Sequence, residues 1–83
     1  PHTPHNPPDD YLALYRQPGR PEPVARYMAM CSWFDATCGQ LLDELDRRKL
    51  SPNTIVVFLA DNGWIQDPRA DRYAPRSKQS PYD

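Results

Sequence analysis

The chain has 83 residues, with 10 basic and 11 acidic side chains and a formal net charge of −1. This length excludes more than one small domain, and the balanced charge argues against a nucleic-acid partner, which selects for a basic surface. The sequence contains no apolar run of about 18 residues, so it also predicts no transmembrane helix and no membrane partner.

Residues 1–23 are rich in proline and predict an irregular segment. Most of the 11 prolines lie here, and proline disrupts both helices and central strands. A short helical turn is expected from Asp9 to Arg16, because Asp9 and Asp10 suit the start of a helix.

The clearest periodic pattern predicts one amphipathic helix from about residue 24 to residue 48. Apolar side chains recur there at intervals of three and four residues: Val24, Met28, Cys31, Phe34, Cys38, Leu41, Leu42 and Leu45. This spacing places them in one apolar stripe. Cys31 and Cys38 would lie about 10.5 Å apart along the helix axis, too far for a disulfide, so we expect two buried thiols.

Residues 54–60 predict a strand that is covered on both faces. Residues 55–60 are uniformly apolar without alternation, which is typical of a buried strand. The chain then changes abruptly to Asp61, Asn62 and Gly63. This tripeptide has two interpretations: a simple turn, since Asn and Gly tolerate positive φ, or part of a Ca²⁺ or Mg²⁺ site, since these cations prefer carboxylate and amide oxygens.

One helix and one buried strand do not cover each other, because a strand needs neighbours at both edges and cover on both faces. We therefore expect the chain to be an internal segment of a larger α/β domain. In that segment one long amphipathic helix is followed by a buried strand and irregular loops.

Three motifs carry a resemblance to a known family. They are the loop PHTPHNPP with His2, the helix and strand that end in LADNG, and the loop APRSKQSPYD with Lys78. In this order they resemble the type I sulfatases, the formylglycine-dependent members of the alkaline phosphatase superfamily. The resemblance covers nearly the whole chain and departs from the family pattern at Ala60, where Ser is more usual, and at Asp83, where Glu is commoner. It implies an alkaline-phosphatase-like sandwich, of which residues 1–83 would be a partial catalytic domain.

The resemblance also implies roles for individual residues. Asp61 and Asn62 would be two ligands of a divalent cation, usually Ca²⁺ in this family. Lys78 would contact the sulfate, with Arg76 as a rival for the anion, and His2 would stabilise or protonate the leaving oxygen. These roles suit the reaction, because negative charge develops on the leaving oxygen of a sulfate ester as the S–O bond breaks. A cation, an ammonium group and an imidazolium stabilise such charge.

Two further expectations concern residues outside these roles. The family motif aligns on His2, so His5 is expected to be a loop or surface histidine whose replacement has a comparatively mild effect. The family's nucleophile is a formylglycine made from Cys or Ser in the motif [C/S]-x-P-x-R, and neither Cys31 nor Cys38 fits this motif. We therefore expect the nucleophile to lie outside this segment and the isolated chain to be inactive.

The implied function is hydrolysis of a small-molecule or carbohydrate sulfate ester by a periplasmic or secreted enzyme, with the remainder of the catalytic domain as this segment's partner. One alternative is a phosphonate or phosphate ester hydrolase of the same superfamily, since the same half-site would serve it. Another is a non-catalytic homologue or an interaction module that reuses the scaffold. The sequence upstream of this segment discriminates among the three.

Overall fold

The computed structural model describes residues 4–61, 63–64 and 66–73. Two helices, α1 (Asp9–Ala13) and α2 (Glu22–Arg47), are followed by a 3₁₀ turn at Ser51–Asn53. Both helical predictions are confirmed, although α1 ends earlier than expected and α2 begins two residues before the apolar pattern does. None of these described helices is long and apolar enough to cross a membrane.

The ends of α2 follow from local sequence. Pro21 precedes the helix in an extended conformation, Pro23 lies in its first turn, and Glu22 places a carboxylate beside the unpaired N–H groups there. At the other end, Lys49 takes a positive φ of 57°. The amides of Lys49 and Leu50 donate to the carbonyl oxygens of Asp46 (3.0 Å) and Leu45 (2.9 Å), which are the two hydrogen bonds of a Schellman motif.

The buried core lies between α1 and the first third of α2. Leu12 of α1 is 2% exposed and packs with Ala25 and Ala29, which are 1% and 0% exposed. Farther along the same face, the Tyr15 hydroxyl is hydrogen-bonded to Ser32 Oγ. The buried face of α2 is therefore a line of small side chains at helical spacing, which lets α1 approach closely.

The predicted apolar stripe of α2 is not its buried face. Each of its eight residues is at least partly exposed, and Phe34, Leu41 and Leu42 are largely so. Cys31 and Cys38 are free thiols that are half-buried, not buried as expected. The reason is geometric: α1 has 5 residues and cannot cover α2, whose 26 residues span about 39 Å.

The predicted strand is wrong, and with it the expected fold class of an α/β sandwich segment. No residue in the described part of the chain belongs to a strand. Ile55 is 91%, Val57 70% and Leu59 84% exposed, so the apolar run is not buried. A strand requires the backbone hydrogen bonds of a neighbouring strand, and the described residues supply none.

The segment after the 3₁₀ turn runs back along α2 towards its beginning. The Phe58 ring lies 6.2 Å from the ring of Phe34, and the Trp64 ring stacks on Tyr27, which precedes Phe34 on the helix, at 4.1 Å. Asp61 lies between these two contacts in the sequence. The path of the chain thereby brings residues 63–64 close to the N-terminal third of α2.

Candidate functional site

Most of the residues predicted to form a site lie outside the described part of the chain. His2, Asn62 and Lys78 do so, as does Arg76, the rival for the anion. Their positions relative to Asp61 are therefore not described, and their roles stay predictions. Asp61 is the predicted site residue that the structure describes.

Asp61 is an exposed residue at a bend that directly follows the apolar run. Two residues later Gly63 has a φ of 78°, a conformation that favours glycine, so the chain does turn here. The carboxylate of Asp61 has the chemistry that a hard cation prefers. Across the described residues there is no group of three or more His, Cys, Asp or Glu side chains that could hold a metal ion, so further ligands would have to come from elsewhere.

A cluster of four rings, with the imidazole of His5 at its centre, lies close to this bend. His5 is 2% exposed, and its ring centroid lies 5.4 Å from Tyr27, 5.4 Å from Trp64 and 5.3 Å from Tyr73. Trp64 and Tyr73 also meet, at 6.4 Å. We call these four residues the His5 cluster. They come from three separate parts of the chain: the N-terminal loop, α2 and the residues after Asp61.

A short polar loop brings Tyr73 back to Trp64. The amide of Ala70 donates to the carbonyl oxygen of Asp67 at 3.1 Å, and the amide of Arg69 donates to the Asp67 carboxylate at 2.9 Å. Gln66 Nε2 donates across the loop to the carbonyl oxygen of Arg72 at 2.9 Å. These bonds close residues 66–72 into a tight loop whose two ends lie near His5.

An ion-pair network joins the N-terminal loop to α2 on the outside of the cluster. Arg26 donates from Nη1 to the carbonyl oxygen of His5 (3.2 Å) and from Nε to Glu22 Oε1 (3.0 Å). Arg16 donates to both carboxylate oxygens of Glu22, at 2.8 and 3.3 Å. The hydrogen bond from Arg16 is the main reason that the pKa of Glu22 falls below its usual value, so Glu22 remains ionised.

The His5 cluster contains polar groups held in a largely apolar setting. Burial raises the pKa of both Tyr27 and Tyr73 above that of a free phenol, so both are protonated at neutral pH. The indole Nε1–H of Trp64 is buried and has no acceptor among the described residues. The two phenols and the indole of the cluster thus carry no charge at neutral pH, which favours a structural role for these three side chains.

Sequence reasoning missed the burial of His5 and the cluster around it. His5 was expected at the surface, and the structure places it among the most buried side chains that it describes. The sequence feature that could have suggested an aromatic cluster is its aromatic content, since nine of the 83 residues are Phe, Trp or Tyr. Isolated aromatic residues such as Trp64 and Tyr73 do not indicate which distant residue they contact.

Comparisons with known proteins give one family and one curated relative. The family model described as Sulfatase matches residues 1–81. The iduronate 2-sulfatase of Mus musculus is 36% identical over 63 residues, which is 75% of this chain and 10% of that protein. The chain thus spans about a tenth of the length of this relative. No solved structure matches significantly.

Proposed function

This chain belongs to the sulfatase family, and we propose that it forms part of a catalytic domain that hydrolyses sulfate esters. The observation that carries the proposal is the family match over residues 1–81, which includes the His2 loop, the Asp61 turn and the Lys78 loop. The large exposed apolar surface of the described residues supports a larger domain, because such surfaces normally receive cover.

We propose Asp61 and Asn62 as two ligands of a divalent cation, with Ca²⁺ as the first candidate. The exposed carboxylate of Asp61 fits this role, but Ca²⁺ takes about six to eight oxygen ligands, so the rest would come from other parts of the domain. When bound, such a cation neutralises charge on the sulfate oxygens.

Lys78 and His2 would act on the two sides of the bond that breaks. The ammonium of Lys78 would bind a sulfate oxygen and orient the ester, as a fixed positive charge that needs no reorganisation during reaction. His2 would donate a proton to the departing ester oxygen, or stabilise the charge that develops on it. The formylglycine nucleophile would be supplied from outside this segment.

The alternative that the same residues serve best is a phosphonate or phosphate ester hydrolase. A phosphate monoester has the same tetrahedral anion and the same need for charge neutralisation at its leaving oxygen. The relative's printed name, iduronate 2-sulfatase, favours a sulfate ester attached to a sugar for this chain. A small-molecule or carbohydrate sulfate ester is therefore the proposed substrate class.

The test uses the complete gene product with an aryl sulfate, a sugar sulfate, a phosphate monoester and a phosphonate ester. Asp61→Ala should abolish most sulfate ester hydrolysis and weaken Ca²⁺ binding measured by calorimetry. Lys78→Ala should lower kcat/KM by about 10²–10³-fold, the range for loss of one preorganised charge-stabilising donor. Lys49→Ala is the matched control, because Lys49 is exposed at the end of α2.

The leaving group provides a separate test of His2. His2→Ala should harm the sugar sulfate more than the aryl sulfate, because an alkoxide needs the proton and a phenolate barely does. Equal losses on both substrates would exclude His2 as the proton donor. If Arg76→Ala is crippling and Lys78→Ala is harmless, the anion contact is Arg76. Wild-type Ca²⁺ affinity in Asp61→Ala would leave the Asp61 segment as a turn only.

A further inference from the structure

His5 is buried at a position where three separate parts of the chain meet. Its ring contacts Tyr27 on α2, Trp64 just beyond the Asp61 turn, and Tyr73 at the end of the polar loop. The three ring-to-ring distances are nearly equal, at 5.3 to 5.4 Å, and the ring planes are tilted or edge-on. Such geometry is favourable for aromatic pairs and fixes both the distance and the angle between them.

The backbone at His5 is held as well as the side chain. Its carbonyl oxygen accepts a hydrogen bond from Arg26, which Glu22 in turn orients through a second hydrogen bond. On the other side of the cluster, the Trp64 ring is stacked on Tyr27 with an interplanar angle of 17°. Both His5 and Trp64 are therefore fixed to the same two turns of α2.

These two fixed points lie close in sequence to the proposed site residues. His2 precedes His5 by three residues, and Asp61 precedes Trp64 by three residues. Three residues reach at most about 10 Å when fully extended. Anchoring His5 and Trp64 to each other therefore restricts how far apart the two short segments before them can lie.

We propose that His5 is a positioning residue, whose ring contacts with Tyr27, Trp64 and Tyr73 hold the loop that carries His2 against the turn that carries Asp61. The inference rests on the proposed function, since it assigns a purpose to the relative placement of His2 and Asp61. It replaces the expectation that loss of His5 is mild. His5 itself performs no proton transfer in this role.

The test compares three variants of the complete gene product: His5→Ala, His5→Phe and Leu12→Ala. A displacement of about 1 Å in a catalytic group can lower the rate by about 10²-fold, so His5→Ala should lower kcat for a sugar sulfate by 10-fold or more with KM changed less than about threefold. His5→Phe keeps a ring in the cluster and should retain most of the activity. The loss in His5→Ala should be larger on the sugar sulfate than on the aryl sulfate, because the proton from His2 matters more there.

Leu12→Ala is the control for a purely structural effect. It removes a buried side chain between α1 and α2 and leaves the His5 cluster intact. It should lower Tm but leave kcat, measured below the unfolding transition, close to wild type. Ca²⁺ affinity gives a readout apart from turnover: His5→Ala should weaken it by about 10-fold, the low end for loss of a group that orients metal ligands, and Leu12→Ala should not.

The possible results separate this inference from the proposed function. If the wild-type protein hydrolyses no sulfate ester, the proposed function fails and the inference fails with it. If the wild type is active and His5→Ala loses no more kcat than Leu12→Ala, only the positioning role is overturned. An equal loss in His5→Phe and His5→Ala would also overturn it, because imidazole chemistry and not ring packing would then be required.

Discussion

The two ends of α2 have opposite surroundings. Near its start, Ala25 and Ala29 are buried against α1, although alanine is among the smallest apolar side chains. Towards its end, Leu41 and Leu42 are exposed, although leucine gains far more from burial. The region with small side chains is therefore the packed one, and the region with large apolar side chains is open.

This difference shows that an apolar residue in the sequence indicates how much free energy its burial would gain. It does not indicate whether the residue is in fact buried. Burial of a leucine is worth about 1.5–3 kcal/mol, but only if another element lies within contact distance. The described residues provide such an element, α1, only beside the start of α2. The surface formed by the end of α2 and residues 55–59 is the part of the described chain with the most to gain from a partner.

The largest expected effect is on the oligomeric state of the isolated chain. Its exposed apolar surface should drive association, so the chain should sediment as oligomers or unfolded material in analytical ultracentrifugation. Val57→Lys should shift the distribution towards monomer, because it places a charge in the middle of the exposed apolar run 55–59. Gln40→Lys adds the same charge to an exposed polar position of α2 and should change little. A wild-type monomer with a cooperative thermal transition would contradict the comparison between the two regions.

The next effect concerns the packed region. This and the following stability comparisons use the isolated chain that carries Val57→Lys, in which association is weakened, as the wild-type reference. In that chain Leu12→Ala should lower the free energy of unfolding by about 2–5 kcal/mol, the usual range for a buried leucine, and so remove most of the hydrogen-exchange protection of the Ala29 amide. Leu41→Ala is the matched change in the open region and should cost less than about 0.5 kcal/mol. Equal costs for the two substitutions would show that the end of α2 is packed in solution.

The elements that the sequence predicted correctly are those determined by local chemistry. Pro23 and Glu22 mark the start of α2, and the three- and four-residue periodicity indicates its extent, so the helix is recognisable from neighbouring residues alone. The prediction of a strand over residues 54–60 was wrong, because a strand depends on hydrogen bonds to another segment. A local sequence pattern does not indicate whether such a segment is present. The buried face of α2 could not be predicted for the same reason. It is set by the position of α1, which covers the alanines.

The candidate site was predictable only as a set of residue types. The turn at Asp61 and Gly63 is confirmed by its backbone conformation, because glycine at a positive φ is a local property. The contacts of His5 were not predictable, since Tyr27, Trp64 and Tyr73 are 22 to 68 positions from it in no regular pattern of spacing. The roles of His2, Asn62 and Lys78 remain predictions from family resemblance.

A smaller effect, the loss of folding stability at alkaline pH, should distinguish the His5 cluster from the open region. Burial raises the pKa of Tyr27 above its ordinary value of 10.0, so the folded state holds this proton more tightly than the unfolded state does. The stability of the fold should therefore be complete below pH 10 and fall as the pH rises from 10 through the folded-state pKa. Tyr27→Phe should reduce this fall in urea titrations followed by circular dichroism.

Tyr73→Phe should act in the same direction, since burial also raises the pKa of Tyr73. Leu41→Ala leaves both phenols in place, so its alkaline loss of stability should match that of the wild type. If Tyr27→Phe and Leu41→Ala lose stability equally between pH 9 and pH 11, the phenol of Tyr27 is not buried in solution.

The smallest expected effect on stability comes from two partly exposed glutamates, one in each region. Glu22 joins Arg16 to Arg26 and thereby reaches the backbone of His5, whereas Glu44 pairs with Arg47 and Arg48 of its own helix end. Because Glu22 is partly exposed, solvent screening limits its contribution to at most about 1 kcal/mol. Glu22→Gln should nevertheless cost more than Glu44→Gln, since only the Glu22 pairs connect segments that would otherwise separate.

The pH dependence of that difference follows from the lowered pKa of Glu22, whose main cause is the hydrogen bond from Arg16. The stabilisation should be present above its ordinary pKa of 4.5 and disappear as the pH falls through the lower folded-state value. In urea titrations the difference in stability between Glu22→Gln and wild type should therefore be full at pH 7 and shrink as the pH is lowered below 4.5, and added salt at pH 7 should also reduce it. If Glu44→Gln proves as costly as Glu22→Gln at pH 7, the network around Arg26 adds nothing to the packed region beyond an ordinary surface ion pair.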